Sequence, residues 1–207
     1  MSDTVLSATG KRARSKAANR SAILSAARAV FARIGYDATT VRDIIRETEL
    51  AAGTFYNYFK SKEEVFEAIA SDSTERFGEI LARVREESTS FEDYIRAGYR
   101  AYFQFLHDEN CDAIECNAPH IALIGVRVDT PEMQAVFNEI RSDLEVAILR
   151  GEARHVDIEY LTAATVGIAR EVGDHMLQRR PVDVDGATEF ATDMLLAGVR
   201  ALLEKAG

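Results

Sequence analysis

Two groups of side chains in this sequence have types and spacings that suggest chemistry. The first runs from residue 40 to residue 62. Thr40, Arg42, Thr54, Tyr56, Asn57, Tyr58 and Lys62 interleave hydroxyls, phenols and cations with the apolar Val41, Ile44, Phe55 and Phe59. These types suit contact with nucleic acid. Arg42 can reach a phosphate or a guanine edge. The Thr54 hydroxyl, near a helix N-terminus, can join backbone N–H groups in binding phosphate. Tyr56 offers a ring to thymine methyls and a phenol to phosphate. Lys62 falls in the first turn of a helix, an unfavourable place for a cation beside the helix dipole, and a nearby phosphate would account for it. Packing serves equally well as a role for Tyr36 and Tyr58.

The second group is His107, Cys111, Cys116 and His120. It gathers both cysteines and two of the four histidines within 14 residues. Neutral imidazole and thiolate are ligands for zinc or copper, and His107 and Cys111 share a helix face. The spacing matches no common zinc pattern. The plainer reading is two small buried hydrophobes and two surface histidines.

The elements that must position these residues read as helical almost throughout. Ile23, Leu24, Ala27, Val30, Phe31 and Ile34 recur at three- and four-residue steps, and Gly35 suits a left-handed cap. Thr40 to Asp43 and Ser61 to Glu64 read as capping boxes, the first opening a short helix to Thr48, the second a long helix. Ala51 to Asn57 fits another short helix. Ser90 opens an aromatic-rich helix. Residues 108–129 predict one or two short, irregular helices around Pro119 and Gly125. Thr130-Pro131 opens a helix that stops at Gly151, and Asp157 caps the next. A last helix spans about Asp185 to Glu204. The class is all-α, with about nine helices and no convincing strand.

Charge divides the chain. Residues 1–62 carry 11 Lys+Arg against 5 Asp+Glu, a net of +6, whereas the remainder carries 14 against 29, a net of −15. The overall −9 alone would argue against nucleic acid; the asymmetry restores it for the N-terminal third. Residues 1–16, with Lys11, Arg12, Arg14 and Lys16, read as a flexible basic arm. Residues 17–62 form a helix-turn-helix domain and residues 63–207 a helical remainder. No apolar run is long enough to span a membrane and no secretory signal is visible, so a cytoplasmic protein is expected. No nucleophile–base pair, phosphate loop or established metal motif is present, which argues against an enzyme, and no cofactor is expected.

Residues 40–59 fit a helix-turn-helix, whose second helix enters the DNA major groove. The local text goes further. The run Ile23-Leu24, Ala26-Ala27, Phe31, Gly35-Tyr36, Thr39-Thr40-Val41, Ile44, Ala51, Gly53-Thr54-Phe55-Tyr56, Tyr58-Phe59, Ser61-Lys62-Glu63 resembles the N-terminal domain of the TetR family of bacterial transcriptional regulators. The resemblance implies DNA contacts at Thr40, Arg42, Ala52, Gly53, Thr54, Tyr56, Tyr58 and Lys62; the exposed-face reading adds Asn57. Ala52 and Gly53 carry no base-reading side chain, and Tyr58 stands where the family often has histidine. Direct readout therefore falls to Arg42, Tyr56 and Asn57, with the basic arm in an adjacent groove.

The resemblance also implies a C-terminal effector-binding and dimerisation domain. Small residues in the last two helices (Ala163, Ala164, Gly167, Ala197, Gly198) permit close packing against a symmetry mate, so a homodimer on an inverted-repeat operator is expected. The helices of residues 61–149 would enclose an effector pocket lined by Phe77, Tyr94, Tyr99, Tyr102, Phe103, Met133 and Phe137, with His175 on a neighbouring stripe. The function implied is a repressor released from its operator by a small molecule. The alternative is a metal- or thiol-redox-controlled regulator using His107, Cys111, Cys116 and His120.

Overall fold

In the computed structural model, which describes residues 3–115, 130–149 and 156–204, the first helix sets the frame of the N-terminal third. Helix α1 (Asp3–Ile34) is followed by α2 (Val41–Glu47), α3 (Ala52–Tyr56), α4 (Lys62–Glu87), α5 (Phe91–Glu109), α6 (Cys111–Glu115), α7 (Pro131–Leu149), α8 (Ile158–Gln178) and α9 (Val184–Glu204). No strand occurs among the described residues. Helix α2 is one residue shorter than read, at its end, and α3 one residue shorter at each end, where their cap residues are set aside, and two further starts differ. Helix α9 starts one residue earlier, at Val184, because Asp183 accepts the Gly186 N–H at 2.8 Å as its cap. Helix α1 starts at Asp3, so the segment expected as a flexible arm is continuous helix from there on. No proline lies between residues 3 and 34, and Ala, Lys, Arg and Leu all favour helix.

Local chemistry fixes the other ends. Gly35, at φ 81°, takes the left-handed turn that stops α1, its N–H on the Phe31 carbonyl at 2.9 Å. Thr40 and Asp43 form a reciprocal capping box on α2. The Ser61 box is half-formed. Ser61 Oγ accepts the Glu64 N–H at 3.3 Å, but the Glu64 carboxylate takes the Lys60 N–H at 2.7 Å rather than that of Ser61. Ser90, Thr130 and Asp157 cap α5, α7 and α8 as their sequence positions predict.

The described residues fall into two units, and α4 contributes to both, with the division between Ala70 and Ser71. In the first unit Ile23, Ala27, Val30 and Phe31 of α1 are buried with Ile44 of α2, Phe55 of α3, Phe59, and Val65, Phe66 and Ile69 of α4. The rings of Phe31, Tyr36 and Phe66 meet at 4.8–6.0 Å. Burying rings of this size contributes about 3–5 kcal/mol each, judged by truncation to alanine. That burial holds the short α2 and α3, which could not persist alone.

In the second unit α5 presents Phe91, Ile95, Tyr99 and Phe103, one per turn, all buried. Helix α8 approaches α5 at Gly173, where a Cβ would lie 2.6 Å from Leu106 Cδ1 and 3.4 Å from the Tyr102 ring. A side chain there would require the Leu106 methyl to move. Thr162, Thr165 and Thr188 bury their hydroxyls by donating to the carbonyl four residues back, at 2.7–2.8 Å.

Candidate nucleic-acid interface

The α2–turn–α3 segment displays its polar residues by burying their neighbours. Ile44 and Phe55 are 0% and 1% exposed, which turns Arg42 of α2 and Ala52, Gly53 and Tyr56 of α3 outward. Tyr56 is 58% exposed with its ring edge-on to Phe55 at 5.4 Å, a large aromatic at the surface. Asn57 follows as the exposed C-cap residue of α3. Thr54 and Tyr58 are half-buried. A Cβ added at Gly53 would meet nothing within 4 Å, so no contact inside the chain requires a glycine there.

Two of the expected contact residues are engaged within the chain. The Thr40 hydroxyl donates to Asp43 Oδ2 at 2.6 Å, and this bond holds the Asp43 carboxyl below its usual range. The position of Lys62 has an explanation inside the chain. Its ammonium donates to the Tyr36 carbonyl at 2.9 Å and the Asp37 carbonyl at 3.1 Å, and lies 4.6 Å from the Tyr36 ring centroid. Two of its three N–H bonds thus clamp the α1–α2 turn to the start of α4. The sequence reading missed this role, and it missed the Arg33–Glu47 ion pair at 2.8 Å, which ties α1 to α2. Tyr36 is part of the same cluster. Its phenol donates to Glu63 at 3.4 Å and its pKa is raised, first by burial and then by the Glu63 carboxylate.

The second unit brings together four of the eight expected effector residues as one ring cluster. Phe77 lies 5.3 Å from Tyr102; Tyr102 lies 5.9 Å from Phe103; Phe103 stacks on Tyr99 at 6.0 Å. Met133 and Phe137 are half-buried on α7, and Gly78 and Val136 bring α7 beside α4. Two of the three phenols are satisfied inside the chain. Tyr94 donates to Asp143 at 2.9 Å and Tyr99 to the Thr165 carbonyl at 3.2 Å. Burial raises the pKa of both, and Asp143 raises Tyr94 further. Tyr102 is pushed up to about 12 by burial, with Asp174 adding to the shift and Arg170 opposing it. His175 departs from expectation. It is exposed in the chain, because α8 buries Gly173, Met176 and Leu177 instead.

Of the four sulfur and imidazole groups, Cys116 and His120 lie outside the described residues. His107 Nδ1 sits 3.3 Å from Asp108, and Cys111 is half-buried. Among the described residues no three His, Cys, Asp or Glu side chains are grouped to hold a metal ion. No described helix is long and apolar enough to cross a membrane.

Comparison with known proteins agrees with this geometry. Residues 23–69 match the family described as bacterial regulatory proteins, tetR family. The chain is 28% identical over 144 residues to the uncharacterized HTH-type transcriptional regulator YhgD of Bacillus subtilis, covering 68% of this chain and 74% of that one. It is 37% identical over 67 residues to the HTH-type transcriptional repressor Rv1474c of Mycobacterium tuberculosis, covering 32% of this chain and 36% of that one. The match therefore spans little more than a third of the second relative's length. Among solved structures, the transcriptional regulator FadR from Bacillus subtilis, in complex with stearoyl-CoA, superposes with a TM-score of 0.70 at 20% identity, covering 86% of this chain and 97% of that one. At that identity the likeness establishes the fold.

Proposed function

We propose that this chain, which belongs to the TetR family of bacterial regulatory proteins, represses transcription as a homodimer on an inverted-repeat operator and leaves it when a small molecule binds the second unit. It is a DNA-binding transcriptional regulator rather than a member of an enzyme family. The observation that carries the reading is α3, with Phe55 buried beneath it and Ala52, Gly53, Tyr56 and Asn57 turned outward. Arg42, Tyr56 and Asn57 would read bases; Thr40, Thr54, Tyr58 and the remaining N–H of Lys62 would contact phosphate.

Dimerisation is supported by the outer faces of the last two helices. Tyr160, Ala163 and Ala164 of α8 are exposed, as are Phe190, Met194, Ala197, Gly198 and Leu202 of α9. A contiguous apolar face of that kind is uncommon on a monomer and suits a two-fold four-helix packing. Two heads related by that axis would meet two half-sites.

The effector reading rests on the ring cluster of Phe77, Tyr102, Phe103 and Tyr99, lined mainly by carbon. An effector that opens space beside these rings would meet an apolar surface, and long acyl thioesters are the first class to assay, given what the FadR structure holds. Because α4 carries residues of both units, it is the element proposed to transmit binding.

The test is selection of duplexes from a random pool by the full chain, followed by sedimentation of the complex. An inverted repeat bound by a dimer is the expected result. Failure to enrich any duplex would overturn the reading.

A further inference from the structure

The N-terminal extension of α1 is a helix rather than a loose arm, and that changes what its cations can do. From Thr4 to Tyr36 the sequence holds no carboxylate side chain but seven cations: Lys11, Arg12, Arg14, Lys16, Arg20, Arg28 and Arg33. The helix fixes the directions of those from Arg14 onward. Counted back from Ile23, which is fully buried among the residues of the first unit, Lys16 lies about 20° and Arg20 about 60° around the helix, at about 100° per residue. Lys16 and Arg20 therefore continue the face that α1 turns toward α2, whereas Arg14 lies nearly opposite. Arg20 confirms the direction, with its guanidinium 5.8 Å from the ring centroid of Phe59, four residues after Phe55. Both Lys16 and Arg20 are exposed. A run of cations in the N-terminal half of a helix is disfavoured by the helix dipole and by mutual repulsion, and a polyanion alongside would relieve both.

We propose that Lys16 and Arg20 of α1 form a rigid, one-faced phosphate clamp that grips double-stranded DNA outside the base pairs read by α3. The inference rests on the reading of the chain as a DNA-binding regulator. From residue 23 back to residue 16 the helix runs about 10 Å, the length of about three base-pair steps. Each head would thus cover up to that much DNA beyond its half-site, with contacts to phosphates and no base preference.

A clamp of this kind depends on the face, not on the charge count. The test uses the full chain and a duplex enriched by the wild-type protein from a random pool, with the selected site at its centre. Lys16→Ala combined with Ala18→Lys keeps the net charge but moves it about 160° around the helix. Ala17→Pro keeps every cation but breaks the helix before the buried core begins. Both variants should melt as the wild type does. Each should lose roughly tenfold in affinity near 0.1 M salt, with a shallower salt dependence, and phosphate protection should contract toward the half-site. Trimming the flanks of the duplex should weaken the wild type and leave both variants nearly unchanged. Variants that bind as tightly as the wild type, with the same salt slope, would overturn the clamp while leaving the regulator intact. A wild-type protein that enriches no duplex would overturn the regulator reading and the clamp with it.

Discussion

The Lys62 ammonium sits over the Tyr36 ring at 4.6 Å and donates to the carbonyl of that same residue at 2.9 Å. One side chain thereby fastens the turn after α1 to the first turn of α4. A cation there is unfavourable to the α4 dipole, and the two carbonyl oxygens of Tyr36 and Asp37 offset that cost. Lys62 is consequently a folding residue in addition to any role on DNA. Lys62→Met should lower the stability of the head by about 1–2 kcal/mol, since charge-assisted bonds at a half-buried site and a partly exposed cation–π contact are lost. A shift of a few degrees in melting temperature would register it. An unchanged melt with weakened DNA binding would instead make Lys62 a pure phosphate contact.

Gly53 offers the opposite test. It lies inside α3 with nothing within 4 Å of a built Cβ, so the fold gains nothing from its missing side chain. An exposed helical glycine costs roughly 0.5–1 kcal/mol relative to alanine. Gly53→Ala should therefore raise stability by about that amount while weakening operator binding, because the added methyl would stand between α3 and the groove. Tyr56→Ala, at a 58% exposed ring, should leave the melt within about 0.5 kcal/mol and also weaken binding. If Gly53→Ala binds DNA as well as the wild type, α3 does not approach the bases at this residue.

The three phenols of α5 predict the alkaline limit of stability. Tyr94, Tyr99 and Tyr102 are all raised above the ordinary tyrosine value, Tyr102 to about 12, with burial the first cause in each case. A raised folded pKa means that the native state holds its proton more tightly than the unfolded chain. Their contribution is therefore complete below pH 10 and is lost as pH rises toward 12 and beyond. Phenolate absorbance should show Tyr94, Tyr99 and Tyr102 ionising late, together with unfolding. Tyr94→Phe should remove one of the three and flatten the pH dependence above 10. Seven tyrosines titrating together near 10 in the folded protein would contradict the burial of this row.

What the sequence discloses, and what it withholds, follows the range of the interactions. Caps at Thr40, Ser90, Thr130 and Asp157 involve residues within three positions of one another, and each is visible in the text. The buried face of α1 follows from periodicity for the same reason. The Lys62–Tyr36 clamp joins residues 26 apart, and nothing in the spacing announces it. His175 fits the apolar period of α8 yet is exposed, because the close crossing at Gly173 sets which side of the helix meets α5. The basic N-terminus is a different case. Charge suggested a loose arm, whereas the absence of proline and the supply of alanine, lysine and arginine allow α1 to run unbroken from Asp3.

Assembly gives the last prediction. Ala164 on α8 and Ala197 on α9 are exposed in the single chain, beside Tyr160, Met194 and Gly198. If these faces meet their symmetry mates, each alanine lies at a close helix crossing. Ala164→Glu or Ala197→Glu would then bury two unpaired carboxylates across the two-fold axis, at a cost of several kcal/mol. Each variant should sediment as a monomer at concentrations where the wild type is a dimer. Neither substitution touches the core of the chain, so helical content should persist. Operator affinity should fall although the head is unaltered, because one head forgoes the second half-site and its effective concentration. A variant that remains dimeric would place the interface on another surface. A wild-type monomer that occupies a single half-site tightly would remove the two-fold axis from the account, and the operator would then have no reason to be an inverted repeat.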